Sequence, residues 1–272
     1  MMDEKRKILE LLEKGLITTD EALELLAALE GAHETFGKGE PGGVEPQIPV
    51  EEEGDGSLFR LDVNVTASDL TFALGDGEKV QVAIDGKGAE RFEVDEGPGY
   101  LRLYERRETA WPWLFSPSFS GSPRVAITLP RGLRFRGQVR TVSGDIQGEL
   151  PLGKDLLLRT VSGDVDLTGS LAALEVHSVS GDLRWRVKRL FSGDMSLAFH
   201  TVSGDVRLFL PPGAYGIRGQ GSAVSGGVEL ELPGVETAKH GVTYRLKRSG
   251  EPLVDLKFRT VSGDVAIREG VV

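Results

Sequence analysis

The chain of 272 residues has no cysteine, three methionines, four histidines and only 7% aromatic residues. Without cysteine there is no disulfide, no thiol nucleophile, no iron–sulfur cluster and no thiolate-bound zinc. No run of 18 apolar residues occurs, which excludes a membrane-spanning helix. The opening segment, MMDEKRKILELLEKG, lacks the uninterrupted apolar stretch and small-residue cleavage site of a secretory signal. These absences predict a cytoplasmic chain, or one peripheral to the membrane.

An excess of basic charge is missing too. The net charge is -10, and residues 1–56 carry all of it, with 5 basic and 15 acidic residues; the remainder holds 27 of each. Nucleic-acid binding wants a basic domain or stripe, so it is excluded. Catalytic signatures are absent as well: there is no P-loop, no G-x-S-x-G and no H-E-x-x-H. The sequence predicts no enzyme, no cofactor and no metal.

Glycine, at 36 residues, is abundant, and it punctuates a repeat. Thr141-Val-Ser-Gly-Asp-Ile146 recurs as Thr160–Val165, Ser178–Leu183, Thr201–Val206 and Thr260–Val265, with a weaker copy at Ala223–Val228 in which Gly227 replaces aspartate. Successive first residues are spaced 19, 18, 23, 22 and 37 apart, so the last interval predicts a hidden copy near residues 240–250. An upstream copy, Val65–Leu70, puts the start of the repeat region near residue 57.

Apolar residues stand four and two positions before each word, and five and seven positions after its first residue. For Thr160 these are Leu156, Leu158, Val165 and Leu167. Each flank alternates with period two, as a half-buried strand does, but the parity changes across the word. A straight strand cannot change parity, so V-S-G is a corner or bulge. The residues of these corners are Ser143, Gly144, Asp145, Ser162, Gly163, Asp164, Ser180, Gly181, Asp182, Ser203, Gly204, Asp205, Ser262, Gly263 and Asp264. Leu-Pro-x-Gly segments at 129–132, 150–153 and 210–213 predict type I turns, with a shorter Leu-Pro-Gly at 232–234. Coils of this length with two strands each predict a parallel β-solenoid over residues 57–272, with a β-sandwich as the alternative.

Residues 1–30 predict a helical pair. Ile8, Leu11 and Leu12 form one apolar stripe, Thr18 to Glu21 fits a capping box, and Ala22 to Leu29 carry the second stripe. The pair is too small to bury a core alone, so it docks to another copy, a protein partner, a membrane surface or the rest of the chain. Residues 31–56, rich in Gly, Glu and Pro, predict a flexible acidic linker.

The TVSGD word with its flanking strands resembles the bacterial SGD-repeat family described as candidate adhesins, a domain of unknown function, over roughly residues 57–272. EKRKILELLEKGLITTDEALELLAAL is similar to the SHOCT-like helical module preceding that repeat in the LiaX/YvlB group. The resemblance implies a right-handed β-helix and a link to cell-envelope stress. It implies no catalytic residues.

Stacking aligns the aspartates in one column, where local capping of backbone N–H groups and a calcium ladder are the two readings. The residue before each word is basic: Arg140, Arg159, His177, His200 and Arg259. This column reads either as Arg–Asp ladders across the corner or as an anion-binding edge for an envelope polymer; a zinc site on the two histidines is a third reading. Trp111, Trp113 and Phe115, in an insertion at 110–119, form either a cap on the solenoid end or an aromatic contact for a membrane or partner. The functional expectation is a non-enzymatic binding or regulatory scaffold linked to envelope stress. A surface adhesin or glycan-binding module and a β-helix carbohydrate-active enzyme are the alternatives, and a homo-oligomer is compatible with each.

Overall fold

A two-residue Gly-Asp corner separates the strand that ends at each word's serine from the strand that follows. The glycine at this corner has positive φ in six coils (Gly144, Gly163, Gly181, Gly204, Gly226 and Gly263), a conformation that glycine adopts without steric cost. Both flanking strands can then turn their apolar side chains to one interior. In the coil of Thr160, Leu156, Leu158, Val165 and Leu167 are all buried.

The computed structural model describes residues 58–106 and 123–270. The helical pair, the acidic linker and the segment with Trp111, Trp113 and Phe115 lie outside the described residues. The strands are β1 (Phe59–Asn64), β2 (Asp69–Gly75), β3 (Gln81–Asp85), β4 (Phe92–Gly97), β5 (Tyr100–Glu105), β6 (Arg124–Pro130), β7 (Phe135–Ser143), β8 (Ile146–Ser162) and β9 (Val165–Ser180). They continue as β10 (Leu183–Val187), β11 (Met195–Ser203), β12 (Val206–Leu210), β13 (Gly216–Ser225), β14 (Val228–Glu231), β15 (Glu236–His240), β16 (Thr243–Arg248), β17 (Leu253–Ser262) and β18 (Val265–Glu269).

Two parallel ladders enclose the core. On the first, formed by the strands that lead into the words, the order is β5, β1, β7, β8, β9, β11, β17, β13. On the second, formed by the strands that leave them, it is β6, β2, β8, β9, β10, β12, β18, β14. The long strands β8 and β9 serve both ladders. Parallel pairing in register defines a β-solenoid and excludes a sandwich of meandering hairpins. Antiparallel strands cover three of the four ladder ends: β4 on β5, β3 on β6, and the β15–β16 hairpin on β13. Such covers remove open edges that would otherwise pair with other chains.

Stack order departs from chain order at both ends. β1–β2 lies between β5–β6 and β7–β8, and β17–β18 lies between β11–β12 and β13–β14. This corrects the reading of the 37-residue interval. No parallel coil is hidden near residues 240–250. The excursion instead holds the antiparallel hairpin, and the coil of Thr260 returns to fill a place beside that of Thr201. The Leu-Pro rule also needs correction at two sites. At Leu210–Gly213 no turn closes, because the Gly213 N–H donates to Glu269 Oε1 and the Leu210 carbonyl accepts from Gly270; the other site is Leu150–Gly153. Turns close at Pro130–Leu133 and Leu232–Val235, but β8 runs extended through Leu150–Gly153. Pairing of Leu152 with Ser170 and Gly153 with Leu171 holds the chain there, with a register shift after Glu149.

Candidate functional site

The corner aspartates form a continuous hydrogen-bonded ladder. Each backbone N–H donates to the aspartate Oδ1 of the neighbouring coil: Asp145 to Asp69 (3.2 Å), Asp164 to Asp145 (3.0 Å), Asp182 to Asp164 (2.8 Å), Asp205 to Asp182 (3.0 Å), Asp264 to Asp205 (2.9 Å) and Gly227 to Asp264 (2.7 Å). The carboxylates therefore cap the next coil, not their own turn. The glycines beside them follow the same order. A Cβ on Gly163, Gly181 or Gly204 would meet the carbonyl oxygen of Gly144, Gly163 or Gly181 at 2.3, 2.3 and 2.2 Å. At that separation only glycine fits, so Ser-Gly-Asp is a stacking device.

The stack order explains Gly227. Its coil is the last of the second ladder, where among the described residues no further N–H waits for a carboxylate. Among the described residues, no group of three or more His, Cys, Asp or Glu is disposed to hold a metal ion. Arg207, six residues after Thr201, reaches two corner carboxylates, Asp205 at 2.8 Å and Asp182 at 3.3 Å.

The residues before the words also align. Arg140 stands beside Arg159, Arg159 beside His177, His177 beside His200, and His200 beside Arg259, all as register partners on the first ladder. Parallel strands put such neighbours about 4.8 Å apart, so the row is about 19 Å long. The imidazoles of His177 and His200 stack, with centroids 4.9 Å apart and planes at 16°. Stacked rings do not converge their nitrogens on one ion, which disfavours the zinc reading. His177 Nε2 lies 2.7 Å from Glu175 Oε1.

Like charges directly opposite on a sheet are destabilising, and Arg140 beside Arg159 is such a pair. Burial first, and then the charge of Arg159, push the Arg140 guanidinium below its usual value, with Asp62 acting the other way. Arg140 donates to Gln138 Oε1 at 3.2 Å, while its buried Nε has no hydrogen-bond partner among the described residues. A like-charged pair with a buried, unused donor is the kind of local conflict that collects at functional sites.

Beyond Arg259 the positive surface widens. Arg218, Arg245, Lys247 and Lys257 line a cleft of about 660 Å³, with Asp255 as the acidic residue among them, paired to Arg218 at 2.8 Å. The outward face of the second ladder is mixed in charge, because Asp166, Glu149, Glu229 and Glu231 are paired there with Arg184, Arg186, Lys188 and Arg268. Burial of Asp166 opposes its ionisation, but hydrogen bonds from Arg186 and Arg184 outweigh that and hold its carboxyl below the usual range. The cleft residues escaped the sequence reading because all four lie outside the words; register brings Arg218, Arg245 and Lys247 to the side of β17 that carries Lys257 and Arg259.

The buried hydroxyls at the first position of the words were also missed. Thr141, Thr160, Ser178, Thr201 and Thr260 are at most 5% exposed. None of their hydroxyl oxygens has a hydrogen-bond partner among the described residues. The period-two pattern does place this position inward, so it carried a usable signal.

Residues 135–268 match the family model described as Toastrack DUF4097, and residues 3–32 match a SHOCT-like domain. No curated protein matches the chain. Among solved structures it is similar to a candidate cell-adhesion protein from Clostridium sporogenes ATCC 15579, with 14% identity and a TM-score of 0.48 over 79% of this chain and 94% of that one. It is also similar to a candidate adhesin from Bacteroides fragilis NCTC 9343, with 14% identity and a TM-score of 0.36 over 78% and 93%. Neither likeness is close enough to bear on ligand or mechanism. Among the described residues no helix is long and apolar enough to cross a membrane.

Proposed function

We propose that the solenoid is a non-enzymatic binding scaffold whose first-ladder outer face takes a linear anionic polymer. One observation carries the reading: the in-register row from Arg140 to Arg259, which opens onto the cleft of Arg218, Arg245, Lys247 and Lys257. The guanidinium groups of Arg140, Arg159 and Arg259, together with the cleft cations, on a rigid sheet suit a ligand with repeated negative charge. The Toastrack and SHOCT-like matches support a modular binding protein. In this reading residues 1–30 dock to a protein partner or a membrane surface, and the chain acts at the cytoplasmic side in the envelope-stress response.

The test uses dextran sulfate, with neutral dextran as control. Reversing two charges of the row, Arg159→Glu with Arg259→Glu, is expected to weaken dextran sulfate binding at least tenfold and to flatten its salt dependence. Arg184→Glu on the opposite face is the matched control and is expected to change little. Equal loss from both faces, or no binding by the parent chain, overturns the reading. Fractionation of native cells with and without residues 1–56 tests the docking part; unchanged membrane association after truncation refutes it. Recovery of both forms outside the cell would favour a surface adhesin instead.

A further inference from the structure

The coil made by β17 and β18 is an interior slice of the stack. β17 pairs with β11 on one side (Phe199 with Phe258, Thr201 with Thr260) and with β13 on the other (Gly221 with Phe258, Ala223 with Thr260). β18 lies likewise between β12 and β14. The coil is joined to the preceding strand only through residues 249–252. That strand, β16, lies on the far side of β13, so the connection must cross the start of β13 to reach the slot.

The crossing is close. A Cβ on Gly216 would lie 2.3 Å from the Gly250 carbonyl oxygen, and Gly250 has a φ of 153°. Two strand spacings are about 9.6 Å, and the five peptide units from Arg248 to Leu253 reach about 17 Å at most. The strap must also round the start of β13, where the Gly216 N–H donates to the Pro252 carbonyl at 2.9 Å, so it crosses in contact with that strand.

A slot walled by two coils of one repeated word does not distinguish its own coil from the same coil of another chain. The bonds from Asp264 N–H to Asp205 and from Gly227 N–H to Asp264, and the buried contacts of Val254, Leu256, Phe258, Val265 and Ile267, would be the same in either case. Short, tight connections favour exchange of the element they tether. We propose that β17–β18 is an exchangeable donor coil, and that two copies of this chain assemble by inserting their coils into each other's slots. The assembly would join two cationic faces on one particle and raise avidity for a polymer without any new contact. The inference stands apart from the polyanion reading, because each closed chain keeps its own row.

The absence of cysteine gives the test a clean background. Ala198 and Lys257 are register partners on β11 and β17. Two full-length chains with different tags, one carrying Ala198→Cys and the other Lys257→Cys, are co-expressed and mildly oxidised. Exchange places the two introduced thiols side by side, and a disulfide-linked species with both tags is expected. Replacing the second variant by Arg102→Cys, on β5 at the other end of the stack, is expected to give none. The double variant in one chain is expected to close internally and then to stay monomeric at concentrations where the parent chain dimerises. Three results overturn the proposal: no two-tag species, equal linkage with the Arg102 variant, or a dimer that survives in the closed double variant. Failure of the double variant to close would refute the register itself. Dextran sulfate binding by the closed monomer, compared with that of the same double variant kept reduced so that the loss of Lys257 is common to both, separates this proposal from the preceding one.

Discussion

The backbone N–H of Gly227 donates to Asp264 Oδ1 at 2.7 Å, although 37 residues separate them and Gly227 stands where five other words have aspartate. The bond shows which way the ladder points: every carboxylate serves the next coil, and the last coil needs none. Asp164→Ala removes the acceptor for the Asp182 N–H and is expected to cost about 1–2 kcal/mol, less than a buried charged hydrogen bond because the corner is exposed. Gly227→Ala is expected to change stability by less than about 0.5 kcal/mol, since its Cβ would only touch Asp264 Oδ1 at 3.4 Å. Urea unfolding of the two variants checks the contrast. Equal losses would mean that the ladder has no direction.

The column of buried hydroxyls makes a prediction of opposite sign. A buried polar group without a partner is costly, and replacing it by an apolar group of the same shape is neutral or stabilising. Thr201, at 2% exposure with its hydroxyl unpartnered, has the shape of valine. Thr201→Val is expected to raise stability by about 0.5–1 kcal/mol. Thr160→Val is expected to do the same, and the two should add, because Ser178 stands between them in the column. A loss on thermal unfolding would show that these hydroxyls are satisfied in solution.

The legible part of the fold is what repeats within a coil. Leu156, Leu158, Val165 and Leu167 announce two strands and a parity change, and that is enough to place the corner at Gly163 and to predict parallel stacking. The order of the coils is not a within-coil property. Nothing near Thr260 says that its neighbours are Thr201 and Ala223, because all three carry compatible words. The basic row was legible for the same reason as the corners: one offset from the word defines it. Lys257 and Arg245 were not, since they meet only through β13, with Gln220 in register between them. The Leu150–Gly153 segment misled because a local turn signal yielded to pairing with β9.

Asp166 gives the pH dependence a sign. Arg184 and Arg186 hold its carboxyl below the usual range despite burial. A depressed carboxylate contributes stability above its unfolded-state pKa, and the contribution is lost as pH falls through the folded value. Its side chain is 38% exposed, so solvent screening limits the contribution to about 0.5–1 kcal/mol. Asp166→Asn is expected to be less stable than the parent by that amount at pH 7, and the two stabilities should converge as pH falls through the folded-state value. Curves that stay parallel across this range would remove the ion pairs from the account.

The interior position of β17–β18 sets the consequence of losing it. In a solenoid stacked in chain order, removing the last coil exposes one new face and leaves the rest intact. Here removal of residues 249–272 strips β13 and β14 of their parallel partners and opens β11 and β12 as well. The lost core includes Val254, Leu256, Phe258, Val265 and Ile267, each no more than 3% exposed. At about 2 kcal/mol per fully buried apolar side chain, the gross loss is roughly 10 kcal/mol, comparable to the whole stability of a typical domain. The truncated chain is therefore expected to lose hydrogen-exchange protection throughout residues 216–248, with the coils before residue 187 retaining more. Phe258→Ala makes the same argument without deleting backbone, and is expected to cost about 3–5 kcal/mol. Protection of residues 216–248 at the full-length level after truncation would show that the cap folds onto β11 directly, and the interleaved order would then be a convenience of packing and not its requirement.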